Sequence, residues 1–245
     1  MATAPGHEVE RRETAIVRIG GLLGLLIVGI ALVVPFVLLA LPPGGGAAPA
    51  DPKTYLSDQA GRMAIVNGLR NLMFFCLLFF GAGLYTFTRR SAPLETNAWG
   101  VLGLLGATAA ATMGTVANGV ETALFLNYGG VSEQREVFLV LWGVAGVLYV
   151  VPQVGTAAMA AGFSAAGWRS AALPKWLVAV GLTVAATTLL TCIAIASVMT
   201  GGWAEKVQLV AVVLTLLWLL CASVLMVWRP GAEPGAAPPV ARAFP

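Results

Sequence analysis

The sequence predicts an all-α polytopic membrane protein: six transmembrane helices in one bundle, with both termini on the cytoplasmic side. Three observations carry that prediction. Only 10% of the 245 residues are charged and 58% are hydrophobic, whereas a soluble domain carries about 25% charged residues. Six separate runs approach or exceed the ~20 apolar residues that a helix needs to cross a bilayer. The Lys and Arg residues between those runs are unevenly shared between the two sides. A closed β-barrel is the other way to satisfy backbone groups in lipid, but it needs a period-2 alternation that these runs lack.

In chain order, residues 1–15 form a polar cytoplasmic tail, and the single histidine, His7, lies in it. The first span runs over 16–41. Its apolar core exceeds the ~7–15 residues of a signal-peptide core, so it is expected as a retained helix. Pro42-Pro43-Gly44-Gly45-Gly46 ends it, because both residue types disfavour helix continuation. Asp51-Pro52 is a helix start, with Asp as N-cap and Pro at the first helical position. The second span, 62–88, thus belongs to a helix that begins outside the membrane, and Gly61 is a site for a bend. Spans three to six follow at 99–126, 137–165, 176–199 and 206–228. Residues 1–15, 16–228 and 229–245 are therefore expected as tail, transmembrane domain and tail. The last segment is rich in Pro, Gly and Ala and reads as disordered.

Nine basic residues lie on one side: Arg11, Arg12, Arg18, Arg89, Arg90, Arg169, Lys175, Arg229 and Arg242. Four lie on the other: Lys53, Arg62, Arg135 and Lys206. The positive-inside rule makes the richer side cytoplasmic. Trp99, Trp168, Trp176, Trp203 and Trp228 fall at span ends, where amphipathic rings anchor at the interface. Gly20, Gly24, Gly100, Gly103 and Gly106, with Ala107, Ala111 and Thr115, allow close helix approach. Helix 3 carries most of these and is expected to be central. Thr183, Thr187, Thr188 and Thr191 are expected to hydrogen-bond backbone or neighbouring helices rather than line a path.

Two polar clusters interrupt the apolar runs. Asn67, Arg70 and Asn71 stand at i, i+3 and i+4 on one face of helix 2. Asn118, Glu121 and Thr122 repeat that spacing on helix 3. A charge inside the bilayer costs several kcal/mol unless it is paired or reaches water. At 1.5 Å per residue, Arg70 lies about 12 Å in and Glu121 about 9 Å in, on antiparallel neighbours. An Arg70–Glu121 ion pair supported by Asn67 and Asn118 is therefore expected. It competes with an outward-facing polar pocket in which Arg70 meets an anion, and with snorkelling of Arg70 to the headgroups. A secondary cluster, Tyr149, Gln153 and Thr156, shares one face of helix 4 beside Pro152, a kink position.

Several chemistries lack their residues. No histidine lies in a span, so bis-histidine haem ligation and an HExxH zinc site are not expected. Every lysine flanks a span, which leaves no Schiff base inside. Cys76, Cys192 and Cys221 have no metal-ligand spacing. No metal, no cofactor and no nucleic-acid partner are expected.

The stretch Arg169-Ser-Ala-Ala-Leu-Pro-Lys-Trp-Leu177 and the helix opening Arg18-Ile-Gly-Gly-Leu22 resemble segments of an uncharacterised family of bacterial multi-pass membrane proteins. That resemblance implies a six-helix layout and no chemistry. The leading expectation is a non-enzymatic structural, assembly or accessory component of the bacterial cytoplasmic membrane. Its partners would be lipid and a membrane protein or a second copy. The alternative is a small-solute transporter or sensor with a polar pocket between helices 2 and 3.

Overall fold

In a computed structural model, residues 5–38, 51–90, 97–126, 134–194 and 203–230 are described. They form six helices: α1 (Pro5–Leu38), α2 (Pro52–Arg90), α3 (Asn97–Leu126), α4 (Arg135–Arg169), α5 (Lys175–Ile193) and α6 (Trp203–Trp228). All six are long and apolar enough to cross a membrane, so the chain is a multi-pass membrane protein. The 39 residues of α2 span about 58 Å at 1.5 Å per residue, well beyond the ~30 Å hydrocarbon core.

Each helix packs against the next in sequence, and α6 returns to α1. The result is a ring of antiparallel neighbours. One end holds the start of α1, the end of α6 and the α2–α3 and α4–α5 connections. It is called here the termini end, and the opposite end the far end.

The expected and observed boundaries differ most at two places. α1 begins at Pro5, inside the expected tail. The added turns are rich in Glu and Arg, which favour helix, and polar contacts hold them: Glu13 bonds Arg89 and Arg90, and Thr14 donates to the Glu10 carbonyl at 2.8 Å. α5 stops at Ile193, with Ala194 as its C-cap, rather than reaching 199; residues 195–199 lie outside the described set. The start of α2 is as expected. The Asp51 carboxylate accepts bonds from the N–H groups of Lys53 and Thr54 at 3.1 and 3.3 Å and from the Thr54 hydroxyl at 2.7 Å. These bonds, the Thr54 hydroxyl first, hold its carboxyl below the usual range. The helix then runs unbroken through Gly61.

Small residues set how the helices meet. On the α3–α4 seam, a Cβ at Gly162 would strike the backbone of Gly103, and one at Gly106 or Gly155 would strike the opposing backbone. Gly20 meets Gly83 across α1–α2, and Gly24 meets Ser223 across α1–α6. Gly181 on α5 leaves room for Ser164 Oγ and Trp218 Nε1. Such backbone approach supplies the dispersion contact that membrane helices cannot obtain from a hydrophobic effect. The large side chains then fill what remains: Phe80, Phe163, Leu84, Trp218 and Met226 are fully buried in one core. α3 has the most buried span of the six, yet it is not the central helix. α3 packs on α2 and α4, whereas α2 packs on α1, α3, α4 and α6. The glycines of α3 serve one intimate seam instead of many neighbours.

The five tryptophans at span ends, Trp99 to Trp228, are all exposed, as interfacial anchors are. Arg169 at the end of α4 stacks over the Trp99 ring at 5.7 Å, joining it to the start of α3. The α4–α5 connection turns on Ala171, whose φ of 54° is the left-handed region. Ser170 supports the turn, its hydroxyl donating to the Ala166 carbonyl at 2.8 Å and accepting from Ala172 N at 3.3 Å.

Candidate functional site: a paired polar layer beside a central cavity

The antiparallel arrangement of α2 and α3 brings the two polar clusters into one network. Arg70 Nη1 donates to Glu121 Oε2 at 2.8 Å and to Asn67 Oδ1 at 3.3 Å. Asn67 Nδ2 donates to the Thr122 hydroxyl at 3.0 Å, which in turn donates to the Asn118 carbonyl at 2.7 Å. Asn118 Nδ2 donates to Asn71 Oδ1 at 3.0 Å and to the Asn67 carbonyl at 3.2 Å. All six expected residues therefore meet, and Asn67 and Asn118 lie buried at the centre. The Arg70 and Glu121 side chains keep 19% and 14% exposure. A carboxylate and a guanidinium this close satisfy each other's charge, and the flanking amides hold their orientation.

Toward the far end the layer is roofed by a separate apolar cluster. Leu56 and Met63 of α2, Leu124 and Phe125 of α3 and Phe138 of α4 are its buried members. Tyr55 and Trp142 pack on it, with ring centroids 5.8 Å apart.

Toward the middle of the molecule lies a cavity of about 230 Å³ lined by residues from all six helices. Met73, Phe74 and Leu77 of α2 line it. They continue the stripe of Arg70 at i+3, i+4 and i+7, so the ion pair stands about one turn, roughly 6 Å, from the cavity wall. Arg70 and Glu121 are not lining residues. The cavity is partly open and takes lining from every helix of the ring, a place distinct from the expected pocket between helices 2 and 3.

Two members of the secondary cluster lie together in the structure. Gln153 and Thr156 line the cavity, next to Pro152. The Tyr149 side chain lies outside the described set. Gln153 Oε1 accepts a bond from the Thr191 hydroxyl at 2.6 Å, joining α4 to α5. Thr156 and Thr215 donate to carbonyls of their own helices, at Pro152 and Ala211. Thr183, Thr187 and Thr191 also bond within α5. Thr188 does not follow its neighbours. It is 3% exposed, lines the cavity, and its hydroxyl has no hydrogen-bond partner among the described residues.

Sequence reasoning missed two features. Gln208 and Thr215 on α6 also line the cavity; an amide inside the last apolar run was the available signal. At the termini end, Arg90 donates to Glu13 Oε2, the Glu10 carbonyl and the Pro230 carbonyl, each at 2.8 Å, and to the Thr14 hydroxyl at 3.2 Å. Arg89 donates to Glu13 Oε1 at 2.7 Å. Arg90 thus clamps α1, α2 and the end of α6. The three cysteines are free thiols placed apart, and no group of three His, Cys, Asp or Glu side chains is gathered among the described residues.

Comparison with known proteins returns no match: no family model, no curated protein and no solved structure resembles this chain.

Proposed function

We propose that this chain is a non-enzymatic protein of the bacterial cytoplasmic membrane that holds a small molecule at the centre of its helix ring, as a transporter or sensor does. The observation that supports this reading is the cavity of about 230 Å³, bounded by all six helices and containing Gln153. A protein built only to hold its own shape gains nothing from a void, because each missing contact weakens packing. The paired Arg70–Glu121 layer acts in this reading as a pin that fixes α2 against α3 beside the site. Both termini face the cytoplasm, on the strength of the Lys and Arg distribution. The resemblance of residues 169–177 to an uncharacterised six-helix family supports the same layout.

A second reading, a structural or assembly component, is favoured by one observation: Arg70 and Glu121 already satisfy each other at 2.8 Å. A charge with a partner needs no ligand to explain it.

Cysteine accessibility separates the two. With Cys76, Cys192 and Cys221 replaced by alanine, Thr156→Cys is treated in nanodiscs with methyl methanethiosulfonate, which is small and uncharged. The cavity reading expects Thr156→Cys to react far faster than Ala160→Cys, one turn along α4 and fully buried. Equal, slow reaction at both positions returns the protein to the structural reading.

A further inference from the structure

We propose that the central cavity takes an uncharged ligand with an apolar body and one hydrogen-bonding head, the head being held by Thr188 with Gln153 and Gln208. The proposal rests on the reading of the cavity as a ligand site and names its chemistry.

The wall decides the charge. Its seventeen lining residues include no Asp, Glu, Lys, Arg or His, and its polar members are two glutamines and three threonines among apolar side chains. A carboxylate, phosphate or ammonium placed there would be desolvated without a counter-ion, and buried charges are tolerated only when paired. Arg70 and Glu121, about one helical turn beyond the wall, are spent on each other.

Thr188 decides the head. Thr156, Thr191 and Thr215 give their protons to partners within the protein. The Thr188 hydroxyl, almost wholly buried in the same wall, has none among the described residues. Buried polar groups in folded proteins are hydrogen-bonded as a rule. A hydroxyl or carbonyl oxygen on a ligand would supply the missing partner.

Volume and access decide the body. A space of about 230 Å³ exceeds a benzene-sized cavity of ~150 Å³ and falls just under the ~300 Å³ of the smallest usual ligand pockets. A short chain or a single ring fits. Val212 on α6 lines the cavity and is also 47% exposed, beside the exposed Leu209 and Val213. The cavity wall is therefore part of the molecule's lipid-facing surface at α6, and a membrane-dissolved ligand reaches it there. Toward the far end the paired layer and the Leu56–Phe138 cluster follow the cavity along α2.

The probe is a diazirine analogue of octan-1-ol, photolysed on the purified full chain in nanodiscs, with adducts located by mass spectrometry. Adducts are expected on cavity residues such as Met73 and Met159. Octan-1-ol should compete them away, and octanoate and octylammonium should do so at least about tenfold less well. Thr188→Val, which keeps the shape and removes the hydroxyl, should weaken competition by octan-1-ol about tenfold, and Thr188→Ser should restore it. Ala211→Phe, which fills the cavity, should abolish the adducts. Equal competition by octanoate overturns the proposal, as do adducts confined to lipid-facing residues. If Thr188→Val does not fold, competition on the native chain decides alone. Rapid modification of Thr156→Cys with no octan-1-ol site would sink the ligand class and leave the cavity reading standing. Slow modification together with no site sinks both.

Discussion

The two halves of the ring are held together by different means. Toward the termini end, backbone lies against backbone: Gly20 on Gly83, Gly103 on Gly162, Gly106 on Gly155 and Met159. Toward the far end, Gly29, Gly61, Gly68, Gly119 and Gly143 have no neighbour within 4 Å of where a Cβ would stand. There the helices are joined by side chains, through the Arg70–Glu121 layer and the Phe138 cluster, around the cavity. Backbone contact fixes a seam at one distance, because neither side can yield. Side-chain contact fixes it only as long as rotamers and charges stay as they are. The cavity sits where the two halves meet: Ala110 and Met159 of the glycine seam line it together with side chains of the upper half.

Perturbations of stability in detergent micelles put this contrast to the test, from the largest expected effect downward. Arg70→Met should cost about 2–3 kcal/mol, somewhat less than the ~3–5 of a fully buried broken pair, because both side chains keep some exposure. Arg70→Met with Glu121→Leu should recover most of that loss; purely additive losses would show that the two charges are not coupled. Gly106→Ala adds one methyl against the backbone of α4, and by overpacking it should cost about 2 kcal/mol. Arg90→Met removes a clamp that reaches Glu13, Glu10 and Pro230, at a cost of about 1–2 kcal/mol, since the cluster sits near water. Gly143→Ala and Gly68→Ala should be neutral or stabilising by up to ~1 kcal/mol, because alanine favours helix and nothing stands in its way. If Gly106→Ala and Gly143→Ala behaved alike in a chemical-unfolding series, the two halves would not differ as described.

Much of this arrangement was legible in the chain. Six spans followed from run length alone. The Arg70–Glu121 pair followed from i, i+3, i+4 spacing on consecutive helices that must run antiparallel, which makes depth computable from residue number. The helical start at Pro5 was not legible, since it depends on Glu13 meeting Arg89 and Arg90, 76 and 77 residues away. In sequence Arg90 is one of nine basic residues on the richer side. A charge count records the side of the membrane and carries no information on partners. The cavity is harder still: a void is defined by what six helices leave unfilled, so it has no sequence of its own. Only its polar lining left a trace. Gln153 and Thr156 stand out beside Pro152 in an apolar run, whereas Thr188 reads like the threonines that bond their own helix.

Ring closure also sets a schedule. The glycine face of α1 is completed by Ser223 and Met226 of α6, and Arg90 reaches Pro230 only once that last helix has been made. At a synthesis rate of about 5–20 residues per second, α6 follows α1 by roughly 10–40 s. The helix that enters the bilayer first gains α2 at once but must wait longest for α6, with the side that will meet Ser223 and Met226 turned to lipid. Birth order and spatial order are opposed at this one seam, and the quality of assembly in the living cell depends on how that interval is bridged.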